Sequence, residues 1–258
     1  MPTSENITIS IILPSYNDAR IIKAIESIIK FDDSECVEII LIDGGSSPDL
    51  IKSISANLRK RDYFISEKDK GIFDALNKGL EASNGEIIGW LGSDDFFSNN
   101  LKASYIIEMM HQKDLFIMNA AHFRNGSISR ITPSWPHKYG LIKFGFNNPH
   151  FSTFGKRMLL KSELFDINDP AADINYFLKI FQKKPIIATS NKIASYLSEG
   201  GFSSSSKKFI LQNNLKLINI YVEHNKFSGF MAPFIKLLFK LLTSAPFIFF
   251  KKRKNIFK

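Results

Sequence analysis

Residues 86–95, Glu-Ile-Ile-Gly-Trp-Leu-Gly-Ser-Asp-Asp, carry the densest chemical signal in the chain. The apolar run Ile87–Leu91 is bounded by Gly85 and by Gly92-Ser93, the pattern of a short buried strand. It ends in two adjacent carboxylates, Asp94 and Asp95. Open α/β sheets hold their ligands beyond the carboxyl ends of the strands. Neighbouring carboxylates repel unless a cation lies beside them, and hard oxygen ligands next to a phosphate suit Mg²⁺ or Mn²⁺. Ser and Asp are equally at home in a plain turn. The upstream segments decide between these readings.

Three of those segments close apolar runs in a similar way. Pro14 stops the first run and leaves Ser15 and Tyr16 at a sheet edge, where a hydroxyl and a ring could hold a ribose or nucleobase. Asn17 or Asp18 could instead cap a helix there. Asp43-Gly44-Gly45-Ser46 ends the second run: the glycines admit close ligand approach, and Asp43 could accept from a base N–H or a ribose hydroxyl. The third segment, Ser66–Gly79, leads through Asp69 and Gly71 into a helix whose first N–H groups favour an anion. Asn77, a polar residue on a helix that buries Phe73 and Leu76, is expected to turn its amide toward the ligand crevice, with solvent exposure as the alternative.

The elements that must position these residues alternate in period. Apolar runs at Ile7–Leu13 and Val37–Ile42 and a shorter one at Tyr63–Ile65 read as strands. Helical spacing is seen over Ile21–Ile29, Asp49–Lys60 and Ile72–Leu80. Strand–helix alternation predicts an α/β fold with a mostly parallel sheet flanked by helices. Strands are expected at Leu115–Met118, Ser127–Ile131 and Ile193–Tyr196, and a helix over Ala171–Phe181. Trp135–Phe151, rich in Pro, Gly, Asn and aromatics, reads as an ordered loop over a site. The serine run 203–206 marks a hinge, so a catalytic domain is expected over 1–206 and a helical tail over 207–258.

Of 258 residues, 44% are hydrophobic and 23% charged, an ordinary globular balance. The polar N-terminus shows no signal-peptide pattern, and the lone Cys36 fits a reducing compartment and a packing role. After Glu223 no acidic residue follows, yet eight of the nine excess positive charges do. The body is therefore nearly neutral, which argues against a nucleic-acid surface. In the tail, Phe230–Leu242 is apolar but interrupted by Lys236 and Lys240, and Phe247–Phe250 precedes Lys251-Lys252-Arg253-Lys254. This fits a basic interfacial helix on a membrane surface better than a spanning one. A helix packed on the catalytic body or a partner-protein site is the alternative.

Four blocks, Pro-Ser-Tyr-Asn (14–17), Asp-Gly-Gly-Ser (43–46), Asp-Lys-Gly-Ile-Phe-Asp-Ala-Leu-Asn-Lys-Gly (69–79) and Trp-Leu-Gly-Ser-Asp-Asp (90–95), occur in an order that resembles the inverting family 2 glycosyltransferases of GT-A fold. The resemblance covers residues 7 to about 205 and is strongest to the branch that builds bacterial exopolysaccharides, O-antigens and colanic acid. It implies a nucleotide-sugar donor contacted by Pro14, Ser15, Tyr16, Asp43, Asp69, Gly71, Asn77, Ser93 and Asp94. It also implies Mn²⁺ or Mg²⁺ on Asp94, with Asp95 beside it. The family's metal motif is usually Asp-X-Asp, and Gly92 stands at its first position here. Asn148-Pro149-His150-Phe151 resembles the family's Pro-His-Gln segment, with Phe151 in place of Gln. Ala171-Ala172-Asp173-Ile174-Asn175 resembles the helix start that carries the general base, which implies that role for Asp173. Gly200-Gly201-Phe202-Ser203 resembles an acceptor-side loop, where His150 would also lie.

The expectation is a transferase that moves a sugar from a nucleotide donor, with a UDP-sugar favoured, to a lipid-linked saccharide with inversion, at the cytoplasmic face of the membrane. A sugar-phosphate nucleotidyltransferase would place a Gly-rich basic loop after the first strand, and Pro14–Asn17 lacks it. A non-catalytic membrane adaptor with a degenerate nucleotide fold is the other alternative, favoured by Gly92 and Asn175.

Overall fold

A computed structural model describes residues 7–124, 126–135 and 149–198, together with Val222 and Phe234. One sheet of nine strands organises them, in the order β3-β2-β1-β4-β8-β6-β9-β5, with β7 paired to β6. Its first half follows the predicted alternation: β1 (Ile9–Ser15), α1 (Ile21–Phe31), β2 (Val37–Asp43), α2 (Pro48–Asn57), β3 (Tyr63–Ser66), α3 (Ile72–Ala82) and β4 (Ile87–Trp90). These strands pair in parallel, β1 with both β2 and β4, and β2 with β3.

The period-2 pattern of β1 explains how the sheet acquires two covered faces. Ile9, Ile11 and Leu13 pack with Ile25, Ile28 and Phe31 of α1, Ile54 of α2, and Ile106 of α4 (Ala103–Met110). Ile12 points the other way, toward Leu76 and Leu80 of α3 and Tyr176 and Phe177 of α6 (Ala172–Gln182). Each fully buried Leu, Ile or Phe contributes about 1.5–3 kcal/mol, so both faces matter to stability. Cys36 lies in this core as a small apolar side chain, and burial pushes its thiol up.

The second half is mixed rather than parallel. The strands β6 (Leu115–Arg124), β7 (Ser127–Thr132), β8 (Thr153–Lys156) and β9 (Ile187–Ser198) form it, with the two-residue β5 (Phe96–Phe97) at its far edge. The β4–β8, β8–β6, β6–β7 and β9–β5 pairs are antiparallel, and β6–β9 is parallel. A single helical turn, α5 (Arg157–Leu160), follows β8. β6 and β9 are longer than the apolar runs suggest, because β6 pairs with β7, β8 and β9, which carries it through polar residues. Residues 136–148 of the expected loop, the hinge 203–206 and nearly all of the tail lie outside the described residues.

The chain order places the site. The β1–α1–β2–α2–β3 path runs along one face, and α3 carries the chain back over the other face to β4. β1 and β4 are therefore neighbours whose connections leave in opposite directions, the topological switch at which such sheets bind ligands. Ser15 and Asp94 follow from those two carboxyl ends.

Candidate functional site

Beyond β4 the chain makes a tight turn in which Asp95 N donates to Gly92 O at 3.1 Å. Asp94 stays at the surface with 20% of its side chain accessible, whereas Asp95 folds inward and is 5% exposed. Gly92 makes that possible: a Cβ at this position would lie 2.5 Å from Asp95 Oδ2 and 3.3 Å from Asp94 Oδ1. The glycine at the first motif position thus leaves room for the inward carboxylate. Ser198, the last residue of β9, fixes the pair from the other side. Its N–H donates to Asp95 Oδ1 at 2.8 Å and its hydroxyl to Asp94 O at 2.6 Å.

A third carboxylate joins them from the β1–α1 turn. Ser93 Oγ donates to Asp18 Oδ2 at 3.3 Å. Arg20 clasps Asp18 through Nε and Nη2 at 2.9 and 2.8 Å, and sets Nη1 3.5 Å from Asp94 Oδ2. Burial pushes Asp94 up, and the charge of Arg20 only partly offsets this. Burial, reinforced by the charge of Asp94, pushes Asp95 up to about 7. Burial also acts to raise Asp18, but the hydrogen bonds from Arg20 prevail and hold it below the usual carboxylate range.

Among the described residues no group of three or more His, Cys, Asp and Glu side chains converges as a metal site. The donor set still fits Mg²⁺ or Mn²⁺, which are commonly held by one or two carboxylates plus substrate phosphates rather than by an all-protein cage. Asp94 supplies a hard, accessible oxygen, and a guanidinium already stands beside it as a cationic stand-in.

The residues expected to face a nucleotide gather at the ends of β1, β2 and β3. Asp43 is fully buried, and its carboxylate accepts from Gly45 N, Ser46 N, the Ser46 hydroxyl and the Ser66 hydroxyl. Its acceptors are thus used within the protein, and Asp43 shapes the 43–46 turn. Ser46 Oγ in turn accepts from Asn17 N at 2.7 Å, and Asn17 Oδ1 accepts from Ser47 N at 3.0 Å, locking the first two turns together. Asp69 lies over Gly44, where a Cβ would come within 2.7 Å of Oδ2. Asp69 Oδ1 also accepts from Gly71 N, and Gly71 enters α3 at φ 113°, a left-handed conformation suited to glycine. Tyr16 projects from the edge, 66% exposed, and the neighbouring Ser15 hydroxyl is buried with no partner among the described residues. Pro14 stays in the β1 ladder, opposite Ile42.

Asp173 occupies the first turn of α6, one residue inside its start, and no side chain caps that helix. Asp173 therefore does not cap this helix. A third of its side chain is exposed, and its Oδ2 lies 3.9 Å from Nδ1 of His150. His150 begins the 3₁₀ turn His150–Ser152, which packs against β4, β6 and β9. Burial lowers the imidazole below its ordinary value, against the opposing pull of Asp173. One helical turn on from Asp173, Tyr176 sets its ring edge-on to Trp90 at 6.2 Å. Trp90 ends β4, four residues before Asp94, so α6 is anchored on the strand that presents the acid cluster.

One expectation changes. Asn77 does not turn its amide into the crevice: Nδ2 donates to Phe165 O and Oδ1 accepts from Phe165 N, both at 2.9 Å. The amide satisfies a buried backbone position, and that explains a polar residue on this helix. Gly200 and Gly201 lie outside the described residues. Asp18, Arg20 and Ser198 were missed as site residues. Asp-X-Arg before a helix reads as a cap, and only the fold brings these side chains to Asp94.

The profile of Glycosyl transferase family 2 matches residues 10–181, most of the described chain. The chain belongs to glycosyl transferase family 2. Chondroitin synthase of Escherichia coli is 28% identical over 223 residues, which are 82% of this chain and 32% of that protein. The glycosyltransferase therefore spans about a third of that synthase. An uncharacterized glycosyltransferase of Haemophilus influenzae is 28% identical over 84% of this chain and 89% of its own. Among solved structures, S. aureus TarS 1-349 in complex with UDP-GlcNAc superposes with a TM-score of 0.62 at 17% identity, covering 82% of this chain and 67% of that 1-349 chain. Mannosyltransferase PcManGT from Pyrobaculum calidifontis, in complex with GDP-Man and Mn²⁺, gives 0.60 at 15% identity, covering 86% and 65%. These likenesses establish the GT-A type of fold for the family 2 glycosyltransferase.

Proposed function

We propose that this glycosyltransferase moves a sugar from a nucleoside diphosphate to a lipid-linked saccharide, with inversion, in the assembly of a bacterial surface polysaccharide. The observation that carries the reading is the joint anchoring of Asp94 and Asp173 on β4, one beyond its carboxyl end and the other through the Tyr176–Trp90 contact. Inverting transfer needs a site for the leaving diphosphate and a separate proton acceptor. The two carboxylates supply one each. A UDP-sugar is the donor favoured here, in keeping with UDP-GlcNAc in TarS, although the GDP-Man of PcManGT shows a second base in a similar fold.

Tyr16 offers its ring to the base, and Ser15 and Asp69 offer polar atoms to the nucleoside at the turn that Asp43 holds in shape. Asp94, with Asp95 beneath it, would hold Mn²⁺ or Mg²⁺, which when bound supplies charge neutralisation for the diphosphate. Asp173 takes the proton of the acceptor hydroxyl as that oxygen attacks the anomeric carbon. His150, whose Nδ1 lies 3.9 Å from Asp173 Oδ2, stands beside that base. Among the described residues no helix is long and apolar enough to cross a membrane. We assign membrane attachment at the cytoplasmic face to the basic segment 207–258.

The test is Asp94→Asn and Asp173→Asn in the purified full chain, with donor binding and transfer measured separately. Asp173→Asn should lower transfer about 10²–10⁴-fold while Mn²⁺-dependent UDP binding persists. Asp94→Asn should lose both. Wild-type-like transfer in either variant refutes the assignment, and a wild-type enzyme that binds donor but never turns over would instead favour an adaptor.

A further inference from the structure

Arg20 sits where helix electrostatics disfavour it. It immediately precedes α1, an 11-residue helix whose N-terminal end carries partial positive charge. A cation there is repelled by the dipole, and α1 has no acidic residue in its first turn to offset this. What holds the guanidinium is the acid cluster: two bonds to Asp18 and a third contact, at 3.5 Å, to Asp94. The two acids are fixed, with 17% and 20% of their side chains accessible, whereas Arg20 is 60% accessible. Its hold on Asp94 is the loose end of the arrangement: one contact at 3.5 Å, against two hydrogen bonds at 2.9 and 2.8 Å to Asp18, and such single exposed contacts are weak.

We propose that Arg20 is a counter-ion switch of the donor site: it neutralises Asp94 when the site is empty and turns its free edge to the donor's diphosphate when the site fills. The inference rests on the reading of Asp94 as the divalent-cation ligand. The two bonds to Asp18 keep the guanidinium plane oriented throughout, leaving Nη1 to exchange one anionic partner for another. Such a planar fork suits phosphate oxygens as well as carboxylate. Two consequences follow for binding. In the absence of nucleotide, the positive charge of Arg20 opposes a second cation at Asp94. Once a diphosphate is present, the same charge attracts it. Arg20 therefore makes nucleotide and metal each favour the other, a coupling that must be reciprocal.

The experiment titrates Mn²⁺ into the full-length protein, following the free ion by electron paramagnetic resonance, with and without UDP, and in a parallel arm GDP. It compares wild type, Arg20→Gln and Arg20→Lys. Arg20→Gln should bind Mn²⁺ alone at least about threefold more tightly, because a neighbouring positive charge is gone. It should bind UDP in the presence of Mn²⁺ about tenfold more weakly, because a charged fork is lost. Arg20→Lys, which keeps the charge without the fork, should bind Mn²⁺ alone like wild type and UDP with intermediate strength. If either affinity of Arg20→Gln stays within twofold of wild type while wild type shows Mn²⁺-dependent nucleotide binding, the switch is overturned and the metal site stands. If wild type binds neither nucleotide in a Mn²⁺-dependent way, both fall together.

Discussion

Asp95 is a carboxylate driven inward beneath a surface carboxylate, and its protonation state changes near neutrality. Burial and the charge of Asp94 raise it to about 7 from an ordinary 3.8. The folded state therefore binds a proton that the unfolded chain has already released between these values. Stability from this group is fully present below pH 4, declines as pH rises, and is lost above about 7. The shift corresponds to at most about 4 kcal/mol. In EDTA, the melting temperature of wild type should fall between pH 5 and 8 more steeply than that of Asp95→Asn. An amide oxygen can still accept from Ser198 N–H but carries no charge to titrate. Parallel melting profiles for the two proteins would show that Asp95 does not titrate in this range.

The element scale shows what the sequence displayed and what it hid. The ends of β1, β2 and β4 could be placed to within two residues because apolar runs give way at Pro14, Gly44 and Gly92, and these signals are local, although Pro14 itself stays in the β1 ladder. The later sheet depends on distant pairings. β9 runs Ile187-Ala-Thr-Ser-Asn-Lys-Ile-Ala-Ser-Tyr-Leu-Ser, and only Ala194 and Ser195 within it are fully buried, so the sequence showed Ile193–Tyr196 as a strand but not the polar stretch before it. Its partner β6 supplies the missing order. Helix α4 and the short strands β5 and β8 escaped for related reasons: they are brief, and their partners lie far along the chain. At the site, the acid pair was legible because an apolar run stops on it. Arg20 was not, because no spacing rule brings position 20 to position 94. The Asn77 clamp belongs to the same class. It joins α3 to residue 165, 88 positions away, and removing it should be costly. Asn77→Ala would leave the buried N–H and C=O of Phe165 unpaired, for a loss of about 1–3 kcal/mol. A melting temperature several degrees below wild type is expected, and one within a degree of it would show that water replaces the clamp.

For the whole molecule, charge separates the chain into a nearly neutral body and a strongly basic end. If the basic end is the membrane contact, the full chain should co-sediment with vesicles containing phosphatidylglycerol but not with pure phosphatidylcholine, and binding should weaken as salt rises. A chain ending at residue 206 should stay in the supernatant while retaining Mn²⁺-dependent UDP binding. Equal sedimentation of both forms would place the lipid contact in the catalytic domain.

Ser198 gives the architecture a mechanical reach. Its backbone N–H and its hydroxyl both donate to residues 94 and 95, so the end of β9 is moored there by two hydrogen bonds. If a restraint on the polypeptide beyond Ser198 shifts these two carboxylates, linkage requires that occupation of their site act back on that restraint with equal free energy.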